Sequence, residues 1–431
     1  MDDRGRLQAV AGVGGDRDLP YSAVCPFGDD APSETEVARS LFATSGGATG
    51  LTWDDRIGAS ALLLAGHVAE ETYQARGASG GMGSWILCQL LERGLVDAII
   101  HVVSEPGDER LFRYRISSSI DEVRQGSHSA YYPVEMSEML RAARQSGRRH
   151  AIVGIPCFVK AVRLLARADP AIRAAVPYCV GIFSGHLKST DFAAMLGWEV
   201  GIAPGELSAI DFRTKLPDPP ASRYAMTATG PSGSVVQPMA DVYGHEWGMG
   251  FFKYPACDSC DDVAAETADI AIGDAWLPEF ASDPRGSNVV IVREPKLVAI
   301  VRDAVRDGRL SMVPITADDV VRSQRGAFRH RRELLPDRLA LADARGVWRP
   351  KTRSTAKAGT PEQRELNLAR ERIRDASPQA MAAARSVGQL RVLKERMDPL
   401  IQGFAQVRPR ATSANRGGGG RLSRLLGRRK G

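Results

Sequence analysis

Between residues 84 and 183, short apolar runs alternate with stretches of helical spacing, and this alternation constrains the fold more than any other feature of the chain. Residues 96–103 and 150–155 are nearly continuous apolar runs, the pattern of strands buried on both faces. Residues 111–116 and 176–183 read as further strands. Residues 84–93, ended by Gly94, read as a helix, as do 137–144 and 158–166. Strands separated by helices predict an α/β fold (α+β overall), a mainly parallel sheet flanked by helices. The C-terminal half is more mixed, with short strands expected at 209–212, 224–228, 270–272 and 289–292 and a helix at 296–305. After Pro350 the sequence is Ala/Arg/Glu-rich and weakly helical, and from about Ser413 it predicts a disordered basic tail.

Four parts are expected on this basis. Residues 1–56 form an N-terminal segment with one helix at 34–42. Residues 57–155 form an N-terminal α/β part, 156–335 a C-terminal part, and 336–431 a helical and then disordered tail. No stretch approaches the roughly 20 apolar residues of a membrane span. The charged start, MDDRGRLQAV, matches neither a secretory signal nor a transit peptide, so a cytoplasmic location is expected. Residues 351–431 carry a net +13 and residues 1–350 a net −7, which together make the chain's +6. An acidic body lacks the basic footprint of a nucleic-acid binder. The basic tail suits a solvated end, or contact with an anionic surface or an acidic partner.

The six cysteines are Cys25, Cys88, Cys157, Cys179, Cys257 and Cys260. In a reducing compartment they are buried thiols, metal ligands or catalytic groups rather than a disulfide framework. Cys257 and Cys260 form a CxxC in YPACDSCDD, a pair used by structural zinc, iron–sulfur clusters and redox dithiols alike. Cys157 stands in VGIPC, where a buried strand gives way to a helix, and ligand sites gather at such strand ends. Cys88, inside a helical pattern, reads as packing.

Five blocks in order, GMGSWILCQLLERGLVDAIIHV, GSHSAYYPVEM, AIVGIPCFVKAVRLLAR, GIFSGHLKS and YPACDSCDDVAAETADIAIGDAW, resemble the beta subunit of coenzyme F-420 hydrogenase/dehydrogenase, a family that includes 7-hydroxymethyl chlorophyll a reductase. The similarity runs from about residue 56 to 332. It implies a bound flavin (FAD), a [4Fe-4S] cluster and, in some members, a deazaflavin substrate. Carried over, the cluster ligands are Cys157, Cys257 and Cys260. Where the family has a fourth cysteine, before GHLKS, this chain has Ser184. Cys179 lies five residues upstream, about 16 Å along an extended strand and on the opposite face. A serine oxygen is a harder and less acidic ligand than thiolate. The cluster is therefore expected to be complete, labile, three-iron or absent according to what fills that corner. Of the family's ferredoxin-like front run only Cys25-Pro26 is present, so no second cluster is expected.

The flavin is expected at two places. Gly77-Ala78-Ser79-Gly80-Gly81 precedes a helix, where backbone N–H groups and the helix N-terminus suit a diphosphate, and where a plain tight turn is the competing reading. GSHSAYYP supplies Gly126, His128, Ser129 and Tyr132; the family often has Lys at His128, and Tyr131 and Tyr132 also suit a core edge. Asn288 in GSNVVIVR is a further cofactor-binding candidate. His186, Lys188 and Asp274 are the candidate catalytic groups, each just past a strand end, and Trp276 suits stacking or packing.

The expected function is an oxidoreductase that moves a hydride between flavin and a small organic substrate and single electrons through the cluster, with a redox partner protein. Two alternatives stay open at this point: a flavoprotein reductase without a cluster, and a non-catalytic scaffold with structural zinc at Cys257 and Cys260. No Ser/His/Asp order or paired-carboxylate motif argues for hydrolysis.

Overall fold

The apolar runs become the middle of an eight-stranded sheet. A computed structural model describes residues 1–8, 21–42, 50–108, 110–217 and 220–417. Its strands in chain order are β1 (Thr52–Asp54), β2 (Gly58–Ser60), β3 (Leu62–Val68), β4 (Ala98–Ser104), β5 (Phe112–Ser117), β6 (His150–Gly154), β7 (Tyr178–Ile182), β8 (Ala209–Lys215), β9 (Tyr224–Gly230), β10 (Gly233–Pro238), β11 (Ile270–Asp274), β12 (Asn288–Val292) and β13 (Leu310–Pro314). The large sheet has the order β13-β3-β12-β11-β7-β6-β4-β5. Strands β4, β6, β7 and β11 pair in parallel. Strands β5, β12, β3 and β13 add antiparallel. The α/β class holds, but the sheet is mixed, and only its four inner strands are parallel. For β5 the physical reason is connection length: the short turn after β4 has no crossover helix to carry the chain back to the far edge.

Side chains alternate across the sheet. Val180, Ile270, Ile272, Val290 and Val292 face a core shared with the helices Met82–Glu92 and Pro295–Arg306. Cys179, Ala271, Val289 and Ile291 face the opposite core, with Val159 and Val162 of the helix Pro156–Ala168 and Leu140 of the helix Ser137–Gln145. Strand β3 has no counterpart in the sequence reading, because Gly66 interrupts its apolar run. That glycine is required: it takes φ +148, and a Cβ would stand 2.0 Å from the Ser311 carbonyl oxygen of β13.

A third core joins the small sheet β10-β9-β8 to the helix Thr190–Glu199 and to two C-terminal helices, Pro361–Val387 and Leu390–Gly417. The sequence reads as weakly helical here, yet the structure has long helices. Leu366, Ile373, Met381 and Ala384 of the first helix and Met397 and Phe404 of the second are buried in one apolar contact. Tertiary burial of such a face stabilises helices that propensity alone leaves marginal. Thr360 starts the pair with a capping box, and Gly388 at φ 66 separates the two helices. The second helix continues past Ser413 to Gly417, beyond the expected onset of disorder. The remaining basic end, 418–431, lies outside the described residues. Among the described residues no helix is long and apolar enough to cross a membrane.

Candidate functional site

The carboxyl ends of β4, β6, β7 and β11 point to one edge of the sheet, and most candidate residues stand there. After β6 the chain passes Ile155 into a helix opened by Pro156, whose missing N–H costs nothing at that position. This sets Cys157 in the first helical turn. After β7 come Ser184 and Gly185. Cys257 and Cys260 come from the segment between the small sheet and β11, where Pro255–Asp258 makes a short 3-10 turn.

The three cysteines are electrostatic neighbours. Burial pushes the Cys157 thiol well above its ordinary value, Cys260 and Cys257 push it further, and Arg331 opposes them. Burial raises Cys257 too, and lifts Cys260 to about 12. The Leu187 N–H donates to Cys257 Sγ at 3.3 Å. Arg331, 3% exposed, donates to Cys260 Sγ at 2.7 Å, to the Asp262 carbonyl at 2.6 Å and to the Gly185 carbonyl at 2.9 Å. Ser184 lies beside these contacts, its N–H donating to the Val263 carbonyl at 3.4 Å. Cys179 stands elsewhere: it is buried in the sheet core, where Arg163 and Asp269 are its charged neighbours. Among the described residues no three His, Cys, Asp or Glu side chains are set to share one metal ion. A cubane holds its thiolates further apart than a single tetrahedral ion does.

Buried cations surround the thiols. Lys188, 1% exposed, donates to the Phe251 carbonyl at 2.6 Å and lies 4.5 Å over the Phe192 ring and 4.6 Å over the Trp247 ring. Burial and then Lys253 lower its pKa well below the ordinary value. His186 stacks on Trp247 at 4.5 Å, and its Nε2 is buried without a hydrogen-bond partner among the described residues. Burial, then Lys188, Lys253 and Arg331, hold its ring neutral. Asp258, inside the CxxC, is paired with Lys253 and Arg374 and approached by Arg338 at 3.8 Å. Burial raises its pKa, but Lys253, Arg338 and Arg374 outweigh it and hold the carboxyl well below the usual range. Arg353 binds Asp261 at 2.8 Å and Glu266 at 2.7 Å. Arg331, the cation in contact with sulfur, has two carbonyls and Cys260 as its hydrogen-bond partners and no carboxylate among them, which suits a bound anionic group.

The other candidates divide. Ser79 donates to the Ser287 carbonyl at 2.8 Å. Asn288 accepts from the Met82 N–H at 3.0 Å and donates to the Gly273 carbonyl at 3.2 Å. Gly80 admits the backbone of Asn288, since a Cβ there would meet Asn288 N at 2.8 Å and the Gly66 carbonyl at 2.9 Å. Gly81 is the left-handed N-cap of the Met82–Glu92 helix, φ +86. Gly80 therefore serves close packing on β12, and the side chains of Ser79 and Asn288 are hydrogen-bonded within the protein. Gly126 sits against buried His101, and Tyr132 packs on Phe112 with ring centroids 5.5 Å apart. His128 is exposed and 3.5 Å from Asp211, whose carboxylate raises its pKa. Ser129 is half-buried beside it. Asp274 accepts from Arg213 at 3.0 Å.

Sequence reasoning missed Arg331, Arg213 and Lys215. Arg213 also donates to Tyr131 Oη at 3.3 Å and to the Ala78 carbonyl at 3.4 Å, lies 4.3 Å over Tyr224 and 5.3 Å over Trp276, and has a buried Nε without a partner among the described residues. Lys215 donates to the Gln74 carbonyl and to the Ser79 carbonyl, and burial, then Arg213, lowers it to about 8. In sequence, Arg213 and Lys215 stand two apart along a strand, the spacing that puts two side chains on a common face.

Residues 63–141 match the model for the N-terminal part of the coenzyme F420 hydrogenase/dehydrogenase beta subunit, and residues 147–318 the model for its C-terminal part. The fold is similar to a chain of the xenon-derivatised F420-reducing [NiFe] hydrogenase complex from Methanosarcina barkeri: TM-score 0.53, 17% identity, 69% of this chain and 99% of that one. No curated protein matches the chain. The two matches are consecutive and together cover more than half of the sequence. The chain therefore belongs to the coenzyme F420 hydrogenase/dehydrogenase beta-subunit family, a family of redox enzymes.

Proposed function

We propose that the chain is an oxidoreductase that holds an iron–sulfur cluster on Cys157, Cys257 and Cys260, with Ser184 at the fourth corner, and a flavin on the Arg213 side of the same sheet edge. The carrying observation is that Cys157, from the end of β6, and the Cys257/Cys260 pair, from a second and distant segment, share buried Arg331 as their charged neighbour. When bound, these groups supply one-electron exchange and hydride exchange respectively. The chain's own residues set their surroundings. Arg331 and the Leu187 N–H donate to sulfur, which stabilises thiolate over thiol. Lys188 places a buried amine at the site, kept there by a carbonyl and two ring faces.

On the flavin side, Arg213 and Lys215 supply two cations against the carboxylate of Asp274, and half-exposed His128 and Ser129 form an open polar border. These groups suit an anionic phosphate better than the internally bonded Ser79, Gly80 and Asn288. His186, Lys188 and Asp274 remain the candidate proton-handling groups. Lys188 and His186 are both driven toward their neutral forms, so either holds a lone pair inside an apolar, cation-rich wall. The reading includes a small organic substrate, a redox partner protein and a cytoplasmic location. The test is an absorption spectrum of anaerobically purified protein, followed by denaturation and fluorescence of the released supernatant. A broad visible shoulder bleached by reductant, with released flavin, is expected, and Arg213→Ala should lower flavin content without lowering iron. Protein with neither chromophore would overturn the proposal.

A further inference from the structure

The C-terminal helices Pro361–Val387 and Leu390–Gly417 lie beyond the family match, which ends at residue 318. Yet the first of them meets the 252–260 loop at two points and its flank at a third, all along one face. Arg370 donates to the Gly248 carbonyl at 2.9 Å and its Nη1 lies 3.2 Å from His330 Nδ1. Arg374 pairs with Asp258, the residue that follows Cys257. Ser377 Oγ accepts from the Phe252 N–H at 2.9 Å. Positions 370, 374 and 377 are four and three apart, so they share one side of the helix. Both Ser377 and Phe252 are essentially unexposed. The second helix ties down the flanks: Asp398 accepts from Tyr243 Oη at 2.7 Å, and Lys394 pairs with Glu199 at 2.9 Å.

We infer that this helix pair is the outer wall of the cysteine site, and that Arg374 and Ser377 are positioning residues that hold the 252–260 loop closed over its thiols. The wall sets how fast solvent and small reagents reach the sulfurs. The inference rests on the cluster reading for its meaning, but its geometry does not depend on it. Losing Arg374 removes a tether while Lys253 and Arg338 stay near Asp258. Losing the Ser377 hydroxyl leaves a buried N–H without its acceptor. Either change lowers the free energy of local opening rather than altering a ligand.

The experiment compares Arg374→Ala, Ser377→Ala, Arg374→Lys and Arg345→Ala. The last cuts an exposed pair with Glu371 on the same helix and serves as the control. In anaerobically purified protein, iron transfer to a ferrous chelator should quicken about tenfold in the two Ala variants at 374 and 377. Arg374→Lys should restore the slow rate, and Arg345→Ala should match wild type. Unchanged rates in both variants, or equal acceleration by Arg345→Ala, would overturn the inference. If the protein carries no iron, the cluster reading fails separately, and alkylation of Cys257 and Cys260 followed by mass spectrometry takes over as the readout. Faster alkylation in Arg374→Ala and Ser377→Ala then supports the wall, and equal rates overturn it.

Discussion

Replacing Arg331 with Met tests the electrostatic logic of the site. In the metal-free chain the neighbouring thiols are neutral, because burial raises all three. There the guanidinium's oxygen partners are the Gly185 and Asp262 carbonyls, beside the Cys260 thiol. Leaving those oxygens unmet costs ~1–3 kcal/mol each. Removing a buried cation returns several kcal/mol of desolvation, so the net change in metal-free stability should stay within about 2 kcal/mol. In the cluster-bound protein the same guanidinium faces thiolate. Opposite charges about 4 Å apart at an effective dielectric near 20 attract by about 4 kcal/mol. Arg331→Met should therefore weaken iron binding by ~3–4 kcal/mol, about two to three orders of magnitude. Chelator competition on anaerobic protein measures the first quantity and urea unfolding of metal-free protein the second. Iron affinity at the wild-type value, with metal-free stability lowered by ~3 kcal/mol or more, would refute the reasoning and make Arg331 a structural residue.

Three further outcomes follow from single sites. Ser184→Cys should raise iron content and slow bleaching in air, because it replaces a poor corner ligand by thiolate; unchanged content would mean that Ser184 is not at a corner. Gly80→Ala should lower stability by ~1–3 kcal/mol, since its Cβ would press on Asn288 and Gly66; flavin loss with stability intact, read by thermal melting and released fluorescence, would restore the phosphate-cradle reading. His101, 3% exposed and 2.8 Å from Ser117 Oγ, is pushed down to about 4 by burial, then by Arg115. Its folded pKa is depressed, so the unfolded chain takes the proton first. Stability is fully present above the unfolded value and falls by about 3 kcal/mol as pH drops from roughly 6.5 to 4, then levels off. His101→Gln should remove that part of the slope in metal-free protein unfolded by urea at each pH; an unchanged slope would contradict the assignment.

Much of the site was legible because strand and cysteine patterns are local. The run at 150–155 followed by Pro156-Cys157 places that thiol at a strand end from composition alone. The two-residue period likewise puts Cys179 into the sheet core, away from the CxxC. Arg331 was illegible because RHRRE reads as a solvated basic run, and only the turn Arg329–Glu333 inserts one of its cations among the sulfurs. The glycines at 77–81 fit two readings for a different reason. Close approach of another backbone and close approach of a phosphate demand the same missing Cβ, so sequence does not separate them. The long C-terminal helices depend on Leu366, Ile373, Met381 and Phe404 meeting a core built by distant segments, which local propensity does not contain.

The most direct measurement is iron and acid-labile sulfide per chain in anaerobically purified protein, with electron paramagnetic resonance after reduction, for wild type, Cys157→Ala and Cys179→Ala. The account predicts about three to four irons per chain with matching sulfide in wild type. Iron and signal should be lost in Cys157→Ala and retained in Cys179→Ala. An iron-free wild type, or iron kept by Cys157→Ala and lost by Cys179→Ala, would contradict it.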